Sequence, residues 1–435
     1  MRKPGAPRLR PAAIAQEAAW GESTGTLRHQ RFAIMVPLPP SRTRDKESSM
    51  SPAAAARKPI VVDGDGHLLE PKNLWTENVS RKFKEIAPRV YWDEGKKGEG
   101  YIADGGVIIP APRAGDVGCA RWSPNRRRLM GVGSRYDEGP AAGFDPDARA
   151  RENDREGIDI AVMYPTLGLF LGSIENAELA VECCRIYNDW LADWCAKQPK
   201  RFVGIAALPM QDPKAAAKEA RRCVEKLGMR GGFVRPNPYK GNWLHNPVFD
   251  VVWAELQDMN TPLGIHPSAG GVGMGAMTFY RTDWGRVPGY KVFSFLFDNY
   301  FALTSLVNTG VLDRFPKLKV IVLESGGGWV LHWLDQMDHW LCEVNPQDRD
   351  RLSADPSKIF KRQVYISVDP DEKSVPAVIK VLGDKKLIWA SDYPHTDVTA
   401  PSVVADVREH IKGMPRDTQR RLLGRNALDI YNIRN

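Results

Sequence analysis

Long apolar runs are missing from this 435-residue chain. No stretch approaches the ~18 consecutive apolar residues of a membrane span. Near the beginning there is no apolar core of roughly 7–15 residues of the kind a secretory signal carries. Cysteine is scarce: six residues, with no CxxC spacing and no disulfide density. Cys183, Cys184 and Cys195 fall in helix-like sequence and read as small buried hydrophobes, which fits a reducing cytoplasm. An excess of positive charge is also absent from most of the chain. The net charge is +8, but residues 1–58 hold 11 Lys/Arg against 4 Asp/Glu, or +7, leaving about +1 for residues 59–435. That balance gives no electrostatic case for nucleic acid. The leading stretch is rich in Pro, Ala, Ser and Arg without an apolar period, so 1–58 is expected to be a disordered basic tail. Met50 opens "MSPAAAARKPIVVDGDGH" and offers an alternative natural start. What the chain does have is 43% hydrophobic residues, enough for a sizeable core, with 13 Trp, 33 Pro and 38 Gly that suggest long structured loops.

From residue 59 onward, short apolar runs alternate with longer helical patterns. Strands are expected at 60–67, 158–166, 202–209, 231–237, 261–267, 318–325, 364–370 and 387–393. Most are continuous rather than alternating in polarity, as in parallel strands buried on both faces. Helices are expected between them, including "NAELAVECCRIYNDWLADWCAKQP" and "DPKAAAKEARRCVEKLG", the latter opened by an Asp cap with proline and closed at Gly228. Eight such units in about 375 residues predict an α/β fold, a (β/α)8 TIM barrel, with a doubly wound sheet as the rival. Two long insertions are expected, about ninety residues after strand 1 and about 269–300 after strand 5. Both would cover a pocket on the face where barrels build active sites.

Polar residues interrupt the apolar runs at their carboxyl ends. Asp65 and His67 end the first run, Arg235 the fourth, His266 the fifth, Glu324 and Ser325 the sixth, and Asp392 with His395 the eighth. In a barrel these ends share one mouth. "DGDGH" fails as a calcium loop, because His67 and Leu68 fall where an acidic or amide residue and a glycine are needed. As a turn it leaves His67 unexplained, whereas Asp65 and His67, alternate residues on a strand, share a face. His266 taken alone reads as a satisfied core histidine. Asp392 in "IWASDYPH" is a carboxylate following small and apolar residues, and a cation partner accounts for it most simply. Two imidazoles and two carboxylates, from Asp65, His67, His266 and Asp392, suit zinc first, then manganese or iron(II), rather than calcium. Glu324 reads as the ion-pair partner of Arg235. Arg235 is then that partner or an anchor for a substrate carboxylate. "SGGG" after Glu324 serves substrate contact through Ser325 or only a tight strand–helix turn. His332 and His339 read as surface or packing residues.

The stretches "VVDGDGHLLEP", "GIHPSAG", "LESGGGWVLHWLDQMD", "IWASDYPH" and "LLGRNALDIYNI" together resemble the amidohydrolase superfamily, within it the amidohydrolase-2 group. That group holds aminocarboxymuconate-semialdehyde decarboxylase, resorcylate- and vanillate-type decarboxylases, and several hydrolases. The resemblance covers residues 59–435. It implies that Asp65 and His67 are the first-strand metal ligands, His266 the fifth-strand histidine, and Asp392 a ligand that also handles a proton. Strand 6 departs from the pattern: Ser325 stands where many of these decarboxylases have a histidine. Glu324, His395 or an insertion residue is expected to take over that acid–base role, so the expected catalytic set is Asp392, Glu324 and His395. The resemblance implies one divalent ion and decarboxylation of an aromatic or cyclic carboxylic acid. Hydrolysis by metal-activated water is the alternative, and a ligand-binding barrel without turnover the lesser one. A cytoplasmic homodimer is expected, with no nucleic acid and no membrane.

Overall fold

The computed structural model describes residues 58–111, 114, 135–268, 291–395 and 401–434. The chain divides between Arg57 and Lys58, and the account below concerns the second unit. Its strands are β1 (Val62–His67), β2 (Arg89–Asp93), β3 (Gly98–Ala103), β4 (Gly106–Ile109), β5 (Ile160–Tyr164) and β6 (Phe202–Gly204). They continue with β7 (Ala206–Ala207), β8 (Gly232–Val234), β9 (Leu263–Ile265), β10 (Val320–Val322), β11 (Val364–Val368) and β12 (Leu387–Trp389).

One parallel sheet runs β1-β5-β6 and a second runs β7-β8-β9-β10-β11-β12. Each strand lies beside its neighbour in sequence order: Val62 opposes Ile160, Ala161 opposes Phe202, Ala206 opposes Gly232, and Ile366 opposes Leu387. The sheets meet within the run 202–209, expected as one strand. It breaks at Ile205: β6 pairs with β5, and β7 with β8. At the far edges, Asp392 N–H donates to Asp65 O at 3.0 Å, and His67 N–H to Tyr393 O at 2.7 Å. The fold is therefore α/β with parallel sheets, carried by short strands of two to six residues.

Local sequence explains the helices that cover these strands. Asp212 accepts from Ala215 N–H at 3.0 Å to open Pro213–Leu227, and Gly228 closes it at φ +71. Asn176 caps Ala177–Ala196, whose buried face carries Leu179, Cys183, Cys184, Tyr187, Leu191 and Cys195. Apolar residues at this 3–4 spacing bind the helix to the sheet, and their burial supplies the main driving force.

Between β1 and β5, where a long insertion was expected, β2, β3 and β4 form an antiparallel sheet. The β3–β4 turn is signalled by Asp104 and Gly105, both at positive φ. Within "RWSPNRRRLMGVGSRYDEGP", residues 121–134 lie outside the described residues. So do 269–290 of the second expected insertion and the expected tail through Arg57. From 291 the chain is already helical, over Lys291–Asn308. Among the described residues, no helix is long and apolar enough to cross a membrane.

Candidate active site

The strand carboxyl ends bring together most of the residues singled out above. Asp65 and His67 close β1, His266 follows β9 by one residue, and Glu324 follows β10 by two. Asp392 and His395 follow β12. Glu324 and Asp392 leave their strands in the left-handed region, at φ +49 and +55. For residues with a Cβ this costs on the order of 1–3 kcal/mol each, and such strain collects at functional sites.

The histidine tautomers follow from the backbone. His67 Nδ1 lies 2.7 Å from Pro165 O and His266 Nδ1 lies 2.7 Å from Pro267 O. A carbonyl oxygen only accepts, so both Nδ1 atoms are protonated and both Nε2 atoms present lone pairs. Those Nε2 atoms face each other at 3.3 Å. Asp65 Oδ1 is 3.5 Å from His67 Nε2, and Asp65 Oδ2 is 3.5 Å from His266 Nε2. Neither Asp65 oxygen, though buried, has a hydrogen-bond partner. Asp392 Oδ1 adds a further acceptor 3.2 Å from His67 Nε2. Donor atoms at ~2.1 Å from a tetrahedral ion stand roughly 3.4 Å apart. Asp65, His67 and His266 thus offer three lone-pair donors, all within 4.8 Å of one another, that fit a divalent cation by spacing and by chemistry, whereas Asp392 groups with His67, Glu324 and His395. Burial keeps the imidazoles neutral: it lowers His67 to about 4, with His395 adding to the effect, and His266 to about 3. Burial also lifts the Asp65 carboxyl to about 7.

A second set overlaps the first. His395 Nδ1 sits 2.7 Å from Asp392 Oδ1 and 3.7 Å from Glu324 Oε1, and its Nε2 bonds Thr166 Oγ1 at 2.9 Å. Its ring stacks on His67 at 4.0 Å. Burial opposes a charge on His395, yet Asp392 and Glu324 outweigh it and raise the imidazolium to about 10. Asp392 responds in the opposite sense: burial would raise it, but His395 and His67 hold it well below the carboxylate range. Glu324 reaches both metal-type histidines, at 3.8 Å from His67 Nε2 and 3.7 Å from His266 Nδ1.

Arg235 does not pair with Glu324 within ion-pair distance. Its buried guanidinium bonds Ser268 Oγ through Nη1 and leaves Nε without a partner. Its charge is felt at His266. Ser325 lines a cavity of about 400 Å³ with Asp65, Glu324, Asp392 and the apolar Val292 and Phe295. The Ser325 hydroxyl is held by Leu323 O at 3.2 Å and Phe295 O at 3.4 Å. The glycines after it are fixed by Glu372, which accepts from Gly327 and Gly328 N–H at 2.9 and 3.0 Å. His332 is exposed, and His339 pairs with Glu343 at the surface. Sequence reasoning missed Thr166, Glu372, Asp63 and Arg149. A threonine and an arginine inside ordinary strand and helix sequence carry no local signal. Asp63, by contrast, stood in plain view in "DGDGH".

The family model described as Amidohydrolase matches residues 62–433. The 2-amino-3-carboxymuconate-6-semialdehyde decarboxylase of Dictyostelium discoideum is 27% identical over 314 residues, 71% of this chain and 82% of that protein. A gamma-resorcylate decarboxylase of Polaromonas sp. is 25% identical over 295 residues, 66% of this chain and 84% of that protein. Among solved structures, an amidohydrolase from Mycobacterium avium subsp. paratuberculosis superposes with a TM-score of 0.72 at 24% identity. The match covers 86% of this chain and all of that one, a likeness of fold.

Proposed function

From the premise that the chain belongs to the amidohydrolase family and is an enzyme, a metal-dependent carboxy-lyase or hydrolase, we propose that it decarboxylates an aromatic or cyclic carboxylic acid. The observation that carries the metal half of this reading is the pair of facing Nε2 lone pairs beside two partnerless Asp65 oxygens. Asp65, His67, His266 and Asp392 would hold one divalent ion, zinc first on this donor set, with manganese and iron(II) as the other candidates. When bound, that ion supplies a Lewis acid that draws electron density from substrate oxygens.

The rest falls to the protein. Arg235, buried and with Nε uncommitted, anchors a substrate carboxylate or phenolic oxygen. Val292 and Phe295 give the cavity an apolar wall for a ring. In decarboxylation the bond to the carboxyl carbon breaks, CO2 leaves, and the electron pair stays on the ring carbon, which takes a proton. His395 has the surroundings of the required acid, with a carboxylate at 2.7 Å and another at 3.7 Å favouring its protonated form. His395 is left neutral, to be reprotonated from solvent, while Asp392 stays charged throughout, and Glu324 takes the place of the missing strand-6 histidine. Hydrolysis, with Asp392 as base, is the second reading; Ser325 at that histidine's position is the observation in its favour. In fold terms the strands close into one eight-stranded barrel, supported by the backbone bonds from Asp392 to Asp65 and from His67 to Tyr393. Residues 59–435 form the catalytic unit.

The test is a panel of carboxyl-labelled hydroxybenzoic acids given to metal-loaded and chelator-stripped protein. Labelled CO2 from the loaded form alone is expected, restored by zinc or manganese. Solvent 18O in the product without CO2 would replace this reading with hydrolysis.

A further inference from the structure

Asp392 occupies a left-handed conformation (φ +55) that its neighbours must sustain. Buried groups hold it from both flanks. On one side, Ser391 N–H and Oγ donate to Asp63 Oδ1 and Oδ2 at 2.9 and 2.6 Å. The same Oγ accepts from Tyr393 N–H at 3.1 Å, so this hydroxyl spans Asp392. On the other side, Tyr393 O accepts from His67 N–H at 2.7 Å, and the Tyr393 ring is covered by the Arg149 guanidinium at 4.5 Å. Arg149 Nη1 donates to His67 O at 2.6 Å, and Arg149 Nε to Asn153 Oδ1 at 3.1 Å. Asp63 and Arg149 are both fully buried. They close on a bare backbone: a Cβ added at Gly66 would stand 2.7 Å from Arg149 Nη2 and 2.8 Å from Asp63 Oδ2.

We infer that Asp63–Ser391 and Arg149–Tyr393 form a clamp that positions the Asp392 carboxylate against His67 and His395. These are positioning residues, since Asp63, Ser391 and Arg149 are absent from the cavity wall. Three segments distant in sequence thereby set one carboxylate: the start of the first strand, the helix Pro146–Glu156 and the turn after the last strand. Two buried charged groups near a metal-type site, each bonded to the backbone flanking a ligand, is how outer groups set a ligand's aim. The inference rests on Asp392 being a metal ligand.

Its test uses the full chain, stripped of metal and titrated with manganese(II), with free manganese read by electron paramagnetic resonance. Ser391→Ala should weaken the manganese dissociation constant by about tenfold or more. Ser391→Thr keeps the hydroxyl and should stay within about threefold of wild type. Thermal melting of the stripped proteins separates lost aim from lost fold. The clamp is overturned if Ser391→Ala binds like wild type, or if Ser391→Thr binds as weakly as the alanine variant. A wild-type chain that takes up no manganese, zinc or iron removes the metal reading itself, and the clamp's purpose with it.

Discussion

The two ends of the parallel strands treat buried polar groups in opposite ways. At the amino ends several buried or part-buried polar groups have their complements. Asn426 Nδ2 donates to Asp384 O and Leu387 O at 2.6 and 2.7 Å, and Gln363 Nε2 to Phe315 O and Leu318 O at 2.8 and 3.0 Å. Arg201 reaches Asp159 O and Ile158 O at 2.8 and 3.0 Å. At the carboxyl ends, Asp65 Oδ1 and Oδ2 and Arg235 Nε are buried without partners, and two carboxylate residues sit at positive φ. Satisfied amides staple loops to strands; the unsatisfied polar groups collect where the metal site is proposed. Stability and chemistry thus lie at opposite ends of the same short ladders.

The largest effects should come from the unsatisfied end, in rate and not in folding. His266→Ala and Asp392→Asn should each lower kcat by about a thousandfold or more, since on the proposed reading each removes a donor to the ion and Asp392→Asn also removes the carboxylate that keeps His395 protonated. Far-UV circular dichroism should be unchanged in both. Wild-type turnover in either variant would remove that residue from the machinery. The opposite pattern is expected from Asn426→Ala. It strands the buried Leu387 carbonyl and the part-buried Asp384 carbonyl and should cost about 1–3 kcal/mol in urea unfolding, with kcat per folded molecule unaltered. A fall in kcat there would show that the two ends are not independent.

The same division explains what could be read from the sequence. All eight parallel runs were legible because continuous Val, Ile and Leu between helical patterns mark buried strands. Their carboxyl limits were drawn too long: 318–325 was expected where β10 stops at Val322, and 387–393 where β12 stops at Trp389. The excess residues are the site itself. Glu324 and Asp392 turn out of the ladder into left-handed geometry, which no periodicity reports. Asp65, His67, His266, Glu324, Asp392 and His395 could be grouped because polar residues at strand ends stand out against apolar runs. Their spacing to within an ångström depends on Pro165 and Pro267 carbonyls and on Thr166, contacts set by packing. Ile205, where the third run breaks, is as apolar as its neighbours, so nothing in its type marks the change of partner.

The smallest expected effect probes an amino-end exception. Lys386, one residue before β12, has its ammonium pushed down to about 8 by burial, with repulsion from Lys319 adding to the drop. Its Nζ donates to Arg362 O at 3.0 Å and lies 4.1 Å from the centroid of the Tyr365 ring, contacts too few to reverse that drop. In the unfolded chain the same group keeps its proton to about 10.5. Below pH 8 both states are protonated and the folded state bears the whole penalty. Between about pH 8 and 10.5 the unfolded state binds more protons, so this group makes stability rise with pH across that window. Lys386→Met should remove that contribution, flattening the dependence of the urea midpoint on pH between 8 and 10.5 while leaving manganese binding untouched. An unchanged slope would mean that the Lys386 proton is lost equally in both states. The amino ends would then hold no strained charge at all, and the contrast with the carboxyl ends would be sharper still.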